Sequence, residues 1–212
     1  MRTLLEVDNV SVSFDGFKAV DNLSFTIGYN ELQAIIGPNG AGKTTFMDII
    51  TGQTKPDSGN ILWGEKSTNL IKKNETEIAL LGIGRKFQKP TVFENKSLIE
   101  NLILSQKKNR NPFNVLFQRN SEHDIKNIIK ILKDINLLNI KDKRAGDISH
   151  GQKQWLEIGM LLTQNPKLLL VDEPAAGMTP NERNQTVQIL KKLSKSSSII
   201  VVEHDMEFVR NL

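Results

Sequence analysis

The sequence contains the glycine-rich octapeptide Gly37-Pro38-Asn39-Gly40-Ala41-Gly42-Lys43-Thr44. It satisfies the pattern G-x-x-x-x-G-K-[S/T] in full,. It follows the short apolar run from Leu32 to Ile36, and the residues from Thr45 to Ile50 after it are typical of a helix. A strand, a glycine-rich loop and a helix in this order are the context that a phosphate-binding loop requires. The sequence therefore predicts an α/β domain that holds a nucleotide phosphate.

The residue types in this loop suit an anion. Glycines allow backbone amides to approach phosphate oxygens closely and to turn where a Cβ would be strained. The amides at the start of a helix are unpaired, and the helix dipole favours a negative charge there. We therefore expect all eight residues of the loop and Thr45 to bind ATP, with Lys43 on the β- and γ-phosphates and the Thr44 hydroxyl on Mg²⁺. The alternative is a glycine-rich turn beside a surface lysine.

Two acids follow a second apolar run. Leu168 to Val171 is predicted to be a buried strand, and Asp172 and Glu173 come directly after it. In open α/β sheets, ligands bind at the carboxyl ends of the strands. Asp172 is expected to hold the Mg²⁺ and Glu173 to polarise an attacking water. Two acids after a strand are by themselves more often a solvated strand end, but together with the phosphate loop they favour nucleotide hydrolysis.

The composition excludes several other classes of protein. The 212 residues are 38% hydrophobic and 25% charged, which fits one globular domain,. Cysteine is absent, so the chain has neither a disulfide framework nor a thiolate metal site,. The net charge of +4 comes from Lys and Arg that are scattered among nearly as many acids, so no nucleic-acid partner is expected,. No apolar stretch approaches the roughly 20 residues of a membrane-spanning helix.

Periodicity along the chain predicts two kinds of region. Leu5 to Ile27 reads as strands around a turn at Asp15-Gly16,. Apolar residues recur at helical spacing at Ile125, Ile128, Ile129, Leu132 and Ile135,. We therefore predict that residues 89–146 form a helical subdomain inserted into a nucleotide-binding core of residues 1–88 and 147–212. Further elements are predicted as helices at 97–104, 152–163 and 181–193, and as a core strand at 198–202.

Three further motifs narrow the class of hydrolase. Ile148-Ser149-His150-Gly151-Gln152 opens a helix about twenty residues before Asp172, Gln88 lies between the phosphate loop and this motif, and His204 follows the last predicted core strand. Each is a weak signal alone, but together and in this order they resemble the ATP-binding-cassette proteins over essentially the whole chain. The resemblance implies a P-loop NTPase core of the ABC type with an N-terminal antiparallel β subdomain and an inserted helical subdomain.

The resemblance also implies roles for individual residues. Phe14 matches the aromatic residue that stacks on adenine, although a core phenylalanine is a rival interpretation there. Ser149, Gly151 and Gln152 match the signature that completes the ATP site of the opposite subunit. Gln88 is implied to contact the metal or the water, and His204 to contact the γ-phosphate. With Glu173, these two form the implied catalytic group.

Two departures from the family pattern point to one branch. His150 replaces the first glycine of the signature, and we expect the turn to survive because histidine tolerates positive φ comparatively well. After Asp172-Glu173-Pro174 the chain carries Ala176-Gly177-Met178-Thr179. Thr179 stands where the family commonly has a carboxylate. These stretches are similar to importers for branched-chain amino acids and urea, most of all to an ATPase subunit of the urea importer.

We therefore expect an ATPase subunit of a membrane importer for a small polar solute, with urea as the expected cargo. The alternatives are a branched-chain amino acid importer, a soluble ATPase of the same superfamily and a degenerate nucleotide-binding scaffold. The implied partners are a second ATPase subunit (a sister subunit or a second copy), two transmembrane permeases and, indirectly, an extracytoplasmic binding protein. The chain is then peripheral on the cytoplasmic face of the inner membrane. We expect the permeases to contact the region near Phe93 and the stretch from Lys107 to Asn120, and we expect the chain to be truncated after Leu212.

Overall fold

A computed structural model describes residues 2–86, 91–106 and 122–212 of the chain. The predicted site residue Gln88 and the polar stretch from Lys107 to Asn120 lie outside the described residues. The described residues divide into two compact units.

The first unit contains an antiparallel sheet built from the N-terminal residues. Its strands are β1 (Thr3–Phe14), β2 (Phe17–Gly28), β4 (Ser58–Trp63) and β5 (Thr68–Asn69), in the order β2-β1-β4-β5. Asp15 and Gly16 have φ values of 48° and 84° and connect β1 to β2, as predicted, because a two-residue hairpin turn needs positive φ,. The buried residues of β1 are apolar (Leu4, Leu5, Val7, Val10 and Val12), and its polar residues are exposed or half-buried, so the strand contributes to the core,.

The same unit contains a parallel sheet in which β3 (Leu32–Ile36), β8 (Ser198–Glu203), β7 (Leu168–Asp172) and β6 (Ile83–Lys86) are neighbours in that order. Every residue of β7 and β8 is buried, as expected for central strands of a parallel sheet,. An antiparallel sheet and a parallel sheet in an α/β fold confirm the predicted fold class. The sheet also brings the ends of β3, β7 and β8 to one edge, where the predicted site residues follow them,.

Helices complete the first unit. They are α1 (Lys43–Thr51), α2 (Glu75–Leu80) and α7 (Met206–Asn211). The core of this unit combines apolar residues of both sheets with the inner face of α1, including Phe46, Met47 and Ile50. The strands β4, β5 and β6 and the helices α2 and α7 were not predicted from the sequence.

The second unit is helical and contains α3 (Leu98–Ser105), α4 (Glu122–Asp134), α5 (His150–Leu162) and residues 177–189, which include the first part of α6 (Pro180–Leu193). It therefore extends beyond the segment 89–146 named in the sequence analysis, because α5 packs against α3 and α4. Gly159 permits this packing, since a Cβ at that position would lie 2.6 Å from Cδ1 of Ile135. None of the described helices is long and apolar enough to cross a membrane.

Candidate functional site

The phosphate loop connects β3 to α1 in the first unit. Gly40 and Gly42 have φ values of 82° and 79°, and a Cβ at Gly42 would lie 2.3 Å from the carbonyl oxygen of Ala19. Gly42 is the N-cap of α1 and offers no side-chain acceptor, so no N-cap side chain occupies the first amides of the helix,. The loop therefore has the backbone that a phosphate site needs.

Lys43 is almost fully buried and its ammonium is held by the loop itself. Its Nζ donates hydrogen bonds to the carbonyl oxygens of Gly37, at 2.6 Å, and of Pro38, at 2.8 Å. The ammonium charge is thereby fixed at the mouth of the loop. The ammonium of Lys43 therefore lies next to the loop backbone that is predicted to bind the phosphates.

The carboxylate of Asp172 lies at the end of β7 and is buried. Burial raises the pKa of Asp172, and the nearby Arg85 guanidinium opposes that rise. Nη2 of Arg85 lies 3.9 Å from Oδ2 of Asp172, and Nη1 lies 2.5 Å from Oδ1 of Asp48 on α1. Arg85 is on β6, and sequence reasoning missed it because that strand carries no regular apolar alternation. It supplies positive charge that partly compensates a buried carboxylate.

Glu173 and His204 come together at the ends of adjacent parallel strands. Oε1 of Glu173 lies 3.4 Å from Nδ1 of His204. Glu173 is half-buried and has a φ of 43°, whereas His204 is exposed. A non-glycine residue at positive φ is uncommon and needs support from the surrounding structure. The amide of Glu173 supplies part of that support by donating to the carbonyl oxygen of Val202.

A third acid at this edge was not predicted. Glu203 is buried, and its Oε1 accepts a hydrogen bond from the amide of Ala175 at 3.0 Å. Its Oε2 accepts from the amides of His204, at 3.1 Å, and of Asp205, at 3.3 Å. One carboxylate therefore ties the loop after β7 to the loop after β8. The sequence signal was an acid that ends an apolar run, next to the predicted His204.

The signature residues lie in the second unit at the start of α5. Ser149 is the N-cap of this helix and forms a capping box with Gln152,. Its Oγ donates to Oε1 of Glu182 at 2.6 Å. His150 is the first residue of the helix and has helical backbone, so the expected need for positive φ at this position was wrong. Gly151 is buried in the first turn.

The aromatic residue expected to stack on adenine is available for contact. Phe14, the last residue of β1, is 49% exposed, so the rival interpretation of a core phenylalanine is wrong. Phe17, at the other side of the turn, is also exposed. A cavity of about 340 Å³ beside the phosphate loop is lined by Val20, Phe25 and Phe46 among others, and Phe14 is not one of its lining residues.

The comparisons with known proteins agree with one another. The family model described as "ABC transporter" matches residues 20–176. The chain belongs to the ABC transporter family. The probable branched-chain amino acid transport ATP-binding protein LivG of Methanocaldococcus jannaschii is 32% identical over 98% of this chain and 82% of its own length. The high-affinity branched-chain amino acid transport ATP-binding protein BraF of Pseudomonas aeruginosa is 32% identical over 100% and 86% of the two chains.

Solved ABC transporter structures support the same family. The crystal structure of the ADP conformation of an ATP-binding cassette of an ABC transporter is similar with a TM-score of 0.85. It is 29% identical and covers 100% of this chain and 85% of that chain. Membership in this ABC family makes the chain an ATPase that binds ATP.

Proposed function

We propose that this chain is the ATP-hydrolysing subunit of a membrane importer for branched-chain amino acids, with Glu173 as the general base. The proposal of hydrolysis rests on the contact between Glu173 and His204, which lie in the same unit as the phosphate loop. The observations that support the cargo are the two curated relatives, which are named for branched-chain amino acid transport.

ATP binding is assigned to the phosphate loop. The backbone amides of residues 37–45, other than Pro38, which has no N–H, surround the β- and γ-phosphates,. Lys43 transfers its hydrogen bonds from the carbonyl oxygens of Gly37 and Pro38 to phosphate oxygens,. Phe14 stacks on the adenine from its exposed position. The Lys43 ammonium already lies in the loop, and the Phe14 ring is exposed, so both groups are available for these contacts.

The residues present also fit Mg²⁺. The Thr44 hydroxyl is exposed at the start of α1 and Asp172 offers a carboxylate, and hard oxygen donors are what Mg²⁺ prefers,. The described residues contain no group of three or more His, Cys, Asp or Glu that would hold a metal without other ligands. Thr44 and Asp172 would therefore hold Mg²⁺ together with nucleotide phosphates, and Gln88 is a further proposed ligand. When bound, the ion neutralises charge on the phosphates.

Hydrolysis then proceeds by attack of water on the γ-phosphorus. Oε1 of Glu173 accepts the proton of the water, a bond forms between the water oxygen and phosphorus, and the bond from phosphorus to the β,γ-bridging oxygen breaks to release ADP. His204 orients the Glu173 carboxylate through Nδ1 and contacts the γ-phosphate. Gln88 completes the proposed catalytic group.

The proposed catalytic unit is a pair of ATPase subunits. Ser149, Gly151 and Gln152 of one subunit complete the ATP site of the other, because Ser149 offers a hydroxyl and the N-terminal end of α5 favours an anion,. The second member of the pair is a sister subunit or a second copy of this chain. The pair docks on two permeases at the cytoplasmic face of the membrane, and an extracytoplasmic binding protein delivers the solute to the permeases. Phe93 is 52% exposed and is available for permease contact.

Branched-chain amino acids replace urea as the proposed cargo. Local similarity around Ser149 and Met178 favoured urea, whereas similarity over the whole chain favours relatives named for branched-chain amino acid transport. The importers for urea and for branched-chain amino acids belong to one branch of the family, and their ATPase subunits do not contact the solute. Local motifs in the ATPase subunit therefore discriminate poorly between the two cargoes.

Transport by the complete importer tests this proposal. The chain is co-expressed with the permease, binding-protein and second ATPase genes that neighbour it, and uptake of labelled leucine and labelled urea is measured in cells. We expect leucine uptake that is lost in Lys43→Ala and kept in Lys55→Ala, an exposed lysine outside the loop. Urea uptake without leucine uptake would contradict the cargo, and uptake that survives Lys43→Ala would contradict the coupling to ATP.

A further inference from the structure

Glu182 is a charged residue that no step of the proposed hydrolysis uses. Its carboxylate contacts Ser149 of the signature motif. Its Oε1 accepts the hydroxyl hydrogen of Ser149 at 2.6 Å. Its Oε2 accepts from the amide and hydroxyl of Thr179, at 3.0 Å and 2.9 Å, and so caps the start of α6. All these residues belong to the second unit. One carboxylate thus bridges the signature turn and the first turn of α6.

The hydrogen of the Ser149 hydroxyl is used by this contact. A serine hydroxyl has one hydrogen to donate, and here Glu182 receives it,. The oxygen of the same hydroxyl accepts from the amide of Gln152 at 3.2 Å. Ser149 therefore cannot donate to a phosphate oxygen unless Glu182 first releases the hydrogen.

Gly151 explains how the carboxylate comes so close. A Cβ at Gly151 would lie 2.7 Å from Oε1 and 2.8 Å from Cδ of Glu182, so any larger residue would displace the carboxylate. The absence of a side chain at this position leaves room for an anion against the first turn of α5. An anion is favourable at the N-terminal end of a helix. The hydrogen bond from Ser149 lowers the pKa of Glu182, so this carboxylate is ionised at neutral pH.

We propose that Glu182 is an internal acceptor that competes with the γ-phosphate for the Ser149 hydroxyl, and that ATP must displace it when two subunits pair. This rests on the proposed function, which places Ser149 on the ATP of the opposite subunit. Glu182 brings a second negative charge to the place where the γ-phosphate is bound, and like charges repel most strongly in a site from which water is excluded. Glu182 therefore sets the nucleotide concentration at which the subunits associate.

The Glu182→Gln variant tests the competition directly. Glutamine keeps an acceptor oxygen but removes the charge, and a neutral acceptor holds a hydroxyl about half as strongly as a charged one. We expect the concentration of a non-hydrolysable ATP analogue that gives half-maximal dimer, measured by sedimentation velocity, to fall by about 3- to 10-fold. Thr179→Ala is the matched control, because it removes a contact to the other carboxylate oxygen and leaves the Ser149 contact in place. Its half-maximal concentration is expected to stay within about twofold of wild type.

A second variant covers a failure of Glu182→Gln to fold. Glu182→Asp keeps an acid in the first turn of α6 but withdraws the carboxylate from Ser149, and the same direction of change is expected. Thermal melting identifies which variants are folded. If the folded variants dimerise at the same or a higher analogue concentration than wild type, Glu182 is not a competing acceptor.

Ser149→Ala separates this inference from the proposed function. We expect it to raise the half-maximal concentration and to reduce the gain from Glu182→Gln in the double variant, because only the charge repulsion by Glu182 is then left to relieve. If Ser149→Ala leaves dimerisation unchanged, or if the wild-type chain remains monomeric at saturating analogue, the assignment of Ser149 to the opposite ATP site is wrong. If Ser149→Ala weakens dimerisation but Glu182→Gln does not strengthen it, only the role of Glu182 is wrong.

Discussion

Nδ1 of His204 lies 3.4 Å from Oε1 of Glu173, although the two residues are far apart in the chain. Parallel pairing of β7 and β8 creates this contact, because Asp172 is opposite Val202 and the chains leave the sheet at the same edge. The residue that follows each strand therefore lies close to the other. The register of β7 and β8 thus brings the proposed base and its orienting histidine together. Because both are proposed to act in the hydrolytic step, a change in either should affect turnover more than binding.

Removal of the histidine is expected to slow hydrolysis far more than it weakens nucleotide binding. His204→Ala leaves Glu173 without its orienting partner, and we expect kcat to fall by about 100-fold, within the range for positioned groups in proton transfer. Steady-state ATPase assays and equilibrium ATP binding measure the two effects. His123→Ala, an exposed histidine on α4, is the control and should retain wild-type kcat. Equal loss of ATP affinity in His204→Ala would contradict an orienting role.

Neutralising Glu203 is expected to lower both the free energy of unfolding and the rate of ATP hydrolysis. Its carboxylate accepts three backbone amides, and the amide group of Gln in Glu203→Gln would face at least one of those donors. An unsatisfied buried donor costs about 1–3 kcal/mol, which a urea denaturation curve resolves. We expect kcat to fall as well, since the loops that carry Glu173 and His204 lose their common tie. Glu207→Gln on the exposed side of α7 should change neither quantity.

Replacement of the loop lysine is expected to weaken ATP binding itself. Lys43→Ala removes a charge-assisted donor that the loop holds in place, and such bonds contribute about 1.5–3 kcal/mol, or roughly 10- to 150-fold in Kd,. Titration calorimetry with ATP measures the change. Lys55→Ala should bind as wild type. An unchanged Kd in Lys43→Ala would mean that the loop does not hold the phosphates.

The contacts of Glu182 predict a pH dependence of stability. The hydrogen bonds from Ser149 and from the Thr179 amide lower the pKa of Glu182 below its usual 4.5. A carboxyl with a lowered folded-state pKa contributes stability above its unfolded-state pKa and loses it as the pH falls through the folded-state pKa. The stability of wild type relative to Glu182→Gln should therefore be present at neutral pH and should diminish below about pH 4,. A difference that is unchanged at pH 3 would contradict this, and thermal melts across pH provide the measurement.

The sequence predicted the elements with strong local signals. The phosphate loop, the strand that ends in Asp172 and the capped start of α5 were located because each combines a motif with an apolar run or a helix signal. The shorter elements were missed. The strand β6 has four residues, two of them Arg85 and Lys86, so neither alternation nor a continuous apolar run marks it,.

The supporting residues could not be predicted because their roles depend on tertiary contacts. Arg85 reaches Asp172 across the pairing of β6 with β7, and Glu182 reaches Ser149 from 33 positions away. The identity of each partner depends on register and helix packing, which local pattern does not define. Glu203 had a local signal, but an acid at a strand end is indistinguishable from a solvated one until the burial of its carboxylate is known.

ATP turnover by Glu173→Gln, with ATP affinity measured on the same preparation, decides whether Glu173 is the general base. Gln preserves the size of the side chain but cannot accept the proton of the attacking water. We predict that kcat falls by about 10²- to 10⁴-fold while the Kd for ATP stays within about twofold of wild type. Wild-type turnover by a folded Glu173→Gln chain would show that Glu173 is not the base and would contradict the proposed mechanism of hydrolysis.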